Sequence, residues 1–79
     1  MQLVKVRYFN EHSGLLGSRE YTYYSEEPLK VGDIATVPAR DTTSKAKVVS
    51  IYVLESEIAG FKDKIKTIPA GSVITVGGG

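Results

Sequence analysis

The sequence predicts a mostly β domain, a small barrel-like antiparallel sheet of four or five strands with one short helix in the C-terminal half. Three observations lead there. Apolar and polar residues alternate over 2–9, β-branched and aromatic residues gather in short runs, and Gly or Pro stands between the runs. Short strands joined by tight turns favour a curved sheet, because closure removes the edges that a small open sheet leaves unpaired. At 79 residues the chain hides only about 60% of its unfolded surface. One domain is therefore expected over 1–76, followed by a flexible glycine tail at 77–79.

Taken in order, residues 2–9 place Val4, Val6 and Tyr8 on one side of a strand and Leu3, Lys5, Arg7 and Phe9 on the other. Asn10 to Ser18 holds Ser13-Gly14 and Gly17-Ser18, which suit a turn. Arg19 to Tyr24 reads as strand two, rich in residues that fit a pleated surface. Leu29-Lys30-Val31-Gly32-Asp33 is a turn that uses the conformational freedom of Gly32. Strand three covers Ile34 to Val37, and Pro38 marks its end or an edge because it cannot donate to a ladder. A polar loop, Arg40 to Ser44, leads into strand four, Lys45 to Val53, whose long β-branched run places it at the centre.

From Leu54 the period changes. Leu54, Ile58, Phe61 and Ile65 fall at i, i+4, i+7 and i+11, one face of a helix, with Glu55 and Glu57 at its start and Lys62, Lys64 and Lys66 at its end. Ser72 to Val76 supplies a fifth strand after Pro69-Ala70-Gly71.

Composition narrows the function classes. With 42% hydrophobic and 24% charged residues the chain is of ordinary globular type, and without cysteine it has neither disulfides nor thiolate metal sites. Charge interrupts the apolar residues from Lys5 onward, and no run approaches the roughly 20 apolar residues of a membrane span. A cytoplasmic protein with no membrane partner is expected. The formal net charge of +1 gives no bulk field for polyanions, so nucleic-acid binding requires a local patch.

Chemistry-bearing residues are sparse. His12, the only histidine, sits in a turn without the further ligands a structural zinc site takes. Glu26, Glu27 and Asp33 are the nearest to paired carboxylates, and their loop setting suggests solvated groups rather than an acid–base pair. Arg40 to Lys45 offers hydroxyls and cations to a phosphate but lacks the glycines of a P-loop. Tyr21, Tyr23 and Tyr24 come near Arg7 and Arg19 if the first two strands pair, the mixture of rings and cations that single-stranded nucleic acid uses. Tyr23 and Tyr24 point to opposite faces, so one ring is exposed.

Tyr21-Thr22-Tyr23, Leu29, Val31-Gly32-Asp33-Ile34-Ala35-Thr36-Val37-Pro38 and Lys45-Ala46-Lys47-Val48-Val49 together resemble the N-terminal domain of the primosomal replication-restart helicase. That family shows an aromatic-Asp-Tyr strand, a leucine, a glycine turn, a Val-x-Val-Pro strand, a polar loop and a Gly-Val-Val strand, in this order and at similar spacing. The resemblance covers residues 1–53 and implies a small β-barrel and a nucleic-acid surface, in the family one that binds the 3′ end of a nascent DNA strand. Thr22 replaces the acidic residue that takes part in recognising the terminal sugar, and Ala46 or Lys47 replaces the glycine of the Gly-Val-Val strand. No helicase domain follows within these residues.

The expected function is a small non-catalytic nucleic-acid-binding module, suited to a phage or mobile-element accessory protein, with single-stranded or primer-template DNA as partner. Its expected contacts are Lys5, Arg7, Arg19, Tyr21, Thr22, Tyr23, Tyr24, Lys45 and Lys47. The alternative is a protein-interaction module that docks another protein through its sheet or an open edge. Neither metal nor cofactor is expected.

Overall fold

A computed structural model describes residues 1–10, 12–39 and 42–75. Six strands, β1 (Gln2–Tyr8), β2 (Tyr21–Ser25), β3 (Ile34–Ala39), β4 (Thr42–Ser50), β5 (Thr67–Ile68) and β6 (Val73–Thr75), form one sheet in the order β5-β2-β1-β4-β3-β6. The sheet curls into a half-barrel. Neighbours are antiparallel except β2 and β5. The mostly β, barrel-like architecture is thus present, with β4 central beside β1.

Alternation in β1 decides what lies inside. Val4 and Val6 are fully buried and pack with Tyr23, Leu29, Ala35, Val37, Ala46, Val48 and Ile68, while Lys5 and Arg7 face outward. Ala35 stands opposite Ala46 and neither is exposed, so the middle of the core is lined by small side chains where β3 meets β4. A register shift between Lys5 and Val6 sets Ser50 opposite Lys5 and Val48 opposite Val6.

Turn chemistry follows the glycines. In the β1–β2 connection Phe9 bridges to Leu16, Gly14 has φ +71°, and the Asn10 Oδ1 accepts the backbone N–H groups of His12 at 2.8 Å and Ser13 at 3.0 Å. Strand two starts at Tyr21, so Arg19 and Glu20 precede it. Gly32 has φ +99°, a region closed to most side chains, and its N–H donates to the Val48 carbonyl at 2.8 Å. Pro38 lies inside β3 opposite Thr43; β6 pairs only with Ile34 and Ala35, so Pro38 has β4 alone beside it.

Three expectations are corrected here. The polar loop Arg40 to Ser44 is shorter, because Thr42, Thr43 and Ser44 already pair with Ala39, Pro38 and Val37 in β4, which in turn ends at Ser50. The predicted helix from Leu54 is two separate 3-10 turns, Glu55–Ile58 and Lys62–Lys64. Its bonds run from Glu57 to Leu54, Phe61 to Ile58 and Lys64 to Phe61, three residues apart, so the four-residue spacing no longer lines one face. Ile58 alone of the stripe is buried, whereas Leu54 is 66% and Phe61 44% exposed. The chain then adds a sixth strand, β5, which the sequence does not announce: Tyr24 donates to the Lys66 carbonyl at 3.0 Å and Glu26 to that of Ile68 at 3.1 Å. The predicted last strand is β6; Val76, the glycine tail, Arg40 and Asp41 lie outside the described residues.

Candidate nucleic-acid interface

Register splits the predicted contact residues between two faces of the sheet. In β1–β2, Thr22 pairs with Lys5 and Tyr24 with Leu3, while Tyr21 pairs with Val6 and Tyr23 with Val4. Directly opposed residues point the same way, so Thr22 and Tyr24 share the outer face with Lys5 and Arg7, whereas Tyr21 and Tyr23 turn inward. Arg7 also stands opposite Lys47 on β4, and Lys45 opposite Thr36 on β3, which brings all four strand cations to the outer face. Arg19 sits apart, exposed in the connection before β2 and beside a groove lined by Tyr8, Gly17, Ser18 and Tyr21.

The inner face opens into a cleft of about 390 Å³. Tyr8 and β2 residues Tyr21, Thr22 and Tyr23 line it together with Glu20, Pro38 and Ala39, and Phe61, Lys64, Ile65 and Lys66 complete the lining. The Tyr8 and Tyr21 rings lie 4.4 Å apart between centroids, tilted by 33°. The Tyr23 hydroxyl donates to the Pro38 carbonyl at 2.6 Å and accepts from the Tyr8 hydroxyl, tying β2 to β3 and β1. Burial, reinforced by the Tyr8 hydrogen bond and by the neighbouring Tyr8 and Tyr21 phenols, pushes the Tyr23 phenol up from its ordinary value. It therefore stays protonated and keeps its donor role. At the mouth, Tyr21 and Phe61 show 36% and 44% of their surface.

Outer-face cations differ in availability. Lys5 Nζ meets Glu57 Oε1 at 3.1 Å, and an Arg7 terminal nitrogen meets Glu20 Oε2 at 3.2 Å. Glu57 also accepts the Leu54 N–H at 3.0 Å, and that bond, followed by Lys5, holds its carboxyl below the usual range. Lys45 and Lys47 form no ion pair among the described residues.

Of the carboxylates read as solvated, Glu26 is exposed and Asp33 is buried, and all three accept backbone N–H groups. Asp33 is 5% exposed and its Oδ2 accepts the Lys30 N–H at 2.9 Å, closing the Gly32 turn. Glu26 and Glu27 accept the N–H groups of Ala70 and Gly71 at 3.2 and 3.0 Å, fastening the turn before β6. His12 is exposed. No group of metal-ligating side chains occurs among the described residues, and none of their helices is long and apolar enough to cross a membrane.

Tyr8, Phe61 and Lys64 belong to the cleft but not to the predicted contacts. Tyr8 shares the inward alternation of Val4 and Val6 and reads as core, and Phe61 reads as part of a buried helical stripe. No family model, curated protein or solved structure matches the chain.

Proposed function

We propose that the domain is a non-catalytic module that binds single-stranded nucleic acid, including the unpaired part of a primer-template, with a base held in the cleft. One observation carries the reading: two partly exposed rings, Tyr21 and Phe61, line one cleft together with Lys64. Rings give each base a stacking partner and cations neutralise the backbone, the combination that sequence-tolerant single-strand binding uses. The segment Tyr21-Thr22-Tyr23 and Pro38, which carry the family resemblance, line this same cleft. Two independent considerations thus meet at one place.

A second reading has its own observation. Because β5 pairs only with Tyr24 and Ser25, β2 has no strand on its side away from β1 from Tyr21 to Tyr23 among the described residues, and an extended peptide of a partner protein would add there.

Fluorescence anisotropy with labelled oligonucleotides separates the two. Phe61→Ala is expected to weaken single-strand binding by roughly 5- to 150-fold, the worth of about 1–3 kcal/mol of stacking, with little change in salt dependence. Lys64→Gln is expected to lower the slope of log K against log salt by about 0.7. Absence of salt-dependent binding at low ionic strength overturns the nucleic-acid reading in favour of peptide addition.

A further inference from the structure

On the outer face, across the sheet from the tyrosine wall of the cleft and linked to its edge through Glu20, the fold keeps two features that cost stability. Arg7 and Lys47 are directly opposed across β1 and β4, a placement that brings like charges to within ~5 Å at their Cβ atoms and is unfavourable. In addition the Arg7 Nε is buried and has no acceptor among the described residues. A buried donor without an acceptor costs about as much as a lost hydrogen bond. Only one end of the guanidinium is engaged, by Glu20 at 3.2 Å, and both members of that pair are substantially exposed, at 37% and 42% of their side chains.

We infer that Arg7 and Lys47 form an oxyanion site for a phosphate group, and that Glu20 occupies the Arg7 guanidinium until phosphate displaces it. A tetrahedral oxyanion set between the two side chains relieves both costs: it places negative charge between opposed cations and, once Glu20 is released and the guanidinium turns outward, offers an oxygen to the Nε that is buried in the resting state. Arginine suits this role because its planar fork presents several donors to one phosphate. Lys45, on the same face two residues along β4 and without an ion-pair partner among the described residues, extends the positive surface. Glu20 is the weakest link, since an exposed ion pair is worth little against a phosphate held by two cations. The inference deepens the nucleic-acid reading, because a strand backbone supplies such phosphates in series, but it does not depend on the cleft.

The test uses the intact chain with ¹⁵N-labelled arginine and reads the Nε–H resonances by NMR. Titration with inorganic phosphate against a chloride control of equal ionic strength is expected to move the Arg7 Nε–H saturably and to leave Arg19 nearly still. Glu20→Gln is expected to tighten the response roughly two- to fivefold, the scale of an exposed pair, and Lys47→Gln to weaken it about tenfold, the scale of a charge-assisted bond. Amide spectra establish that both variants remain folded. A short oligothymidylate forms the second arm: an Arg7 shift there assigns the site to backbone phosphate, and an Arg7 shift with inorganic phosphate alone assigns it to a free phosphate group. Repeating both arms in Phe61→Ala separates this site from the cleft, because the Arg7 response to inorganic phosphate persists even where oligonucleotide binding is lost. An Arg7 resonance that follows ionic strength only, or a Glu20→Gln variant with unchanged response, overturns the site or the displacement of Glu20, respectively.

Discussion

Replacing Ile58 and Phe61 in turn by alanine tests the 3-10 description of the segment between β4 and β5. A continuous helix with its stripe against the sheet would bury both. In the structure Ile58 retains 1% of its exposure and Phe61 44%. Ile58→Ala removes buried methylenes and leaves a cavity, which costs about 2–5 kcal/mol. Full burial of a phenylalanine is worth about 1.5–3 kcal/mol; with roughly half the ring in solvent and no enclosed cavity left behind, Phe61→Ala costs about 1 kcal/mol. The gap of about 2 kcal/mol corresponds to some 8–16 °C in Tm for a domain of this size. Thermal melts followed by circular dichroism, with urea unfolding as a second measure, read both variants. Should Phe61→Ala prove as destabilising as Ile58→Ala, the ring is core and the cleft loses one wall. The expected mildness also makes Phe61→Ala a sound probe of binding, since the protein under test stays folded.

Glycine substitutions discriminate turn from open chain: Gly32→Ala, at φ +99°, is expected to cost about 1–2 kcal/mol, whereas Gly60→Ala, where a Cβ meets nothing within 4 Å, is expected to be neutral or stabilising by up to about 1 kcal/mol. Equal melting temperatures for the two would dismiss the left-handed turn. For pH, the Tyr23 phenol is raised in the folded state above its ordinary value of 10.0. The unfolded chain then releases that proton first, so stability is fully present below pH 10.0 and declines as pH climbs past it. Unfolding titrations on either side of that value should show the decline, and Tyr23→Phe should flatten it while lowering stability at neutral pH by about 1–3 kcal/mol, because the Tyr8 hydroxyl and the Pro38 carbonyl lose their partner. A Tyr23→Phe profile that falls as steeply as that of the wild type would remove Tyr23 as the cause.

What local chemistry encodes was legible. Alternation places Val4 and Val6 inside with Lys5 and Arg7 outside, the β-branched run of β4 marks a central strand, and Gly32 announces its turn. The parts that were not legible depend on distant partners. Thr67–Ile68 is too short to show a period and becomes a strand only because β2 offers an edge to it. Leu54, Ile58, Phe61 and Ile65 carry helical spacing, yet the turns that form are tighter than the spacing assumes. Asp33 reads as a loop carboxylate until the turn folds over it. The cleft itself arises from curvature, which brings Tyr21 and Phe61 to one opening although forty positions separate them along the chain. Of Tyr23 and Tyr24, one of which was expected to be exposed, Tyr23 is buried and Tyr24 is half-buried on the outer face.

Both outermost strands of the sheet come from residues 67–75, while the four inner strands are complete by residue 50. The β1–β4 unit by itself therefore has two bare flanks, and a single late stretch closes them, β5 against β2 and β6 against β3. The two 3-10 turns carry the chain from β4 to the β2 flank, and residues 69–72 then cross to the β3 flank. A chain cut short near residue 60 would offer two unpaired ladders to its neighbours, so residues 67–75 guard the sheet edges against self-association as well as completing the core through Ile68.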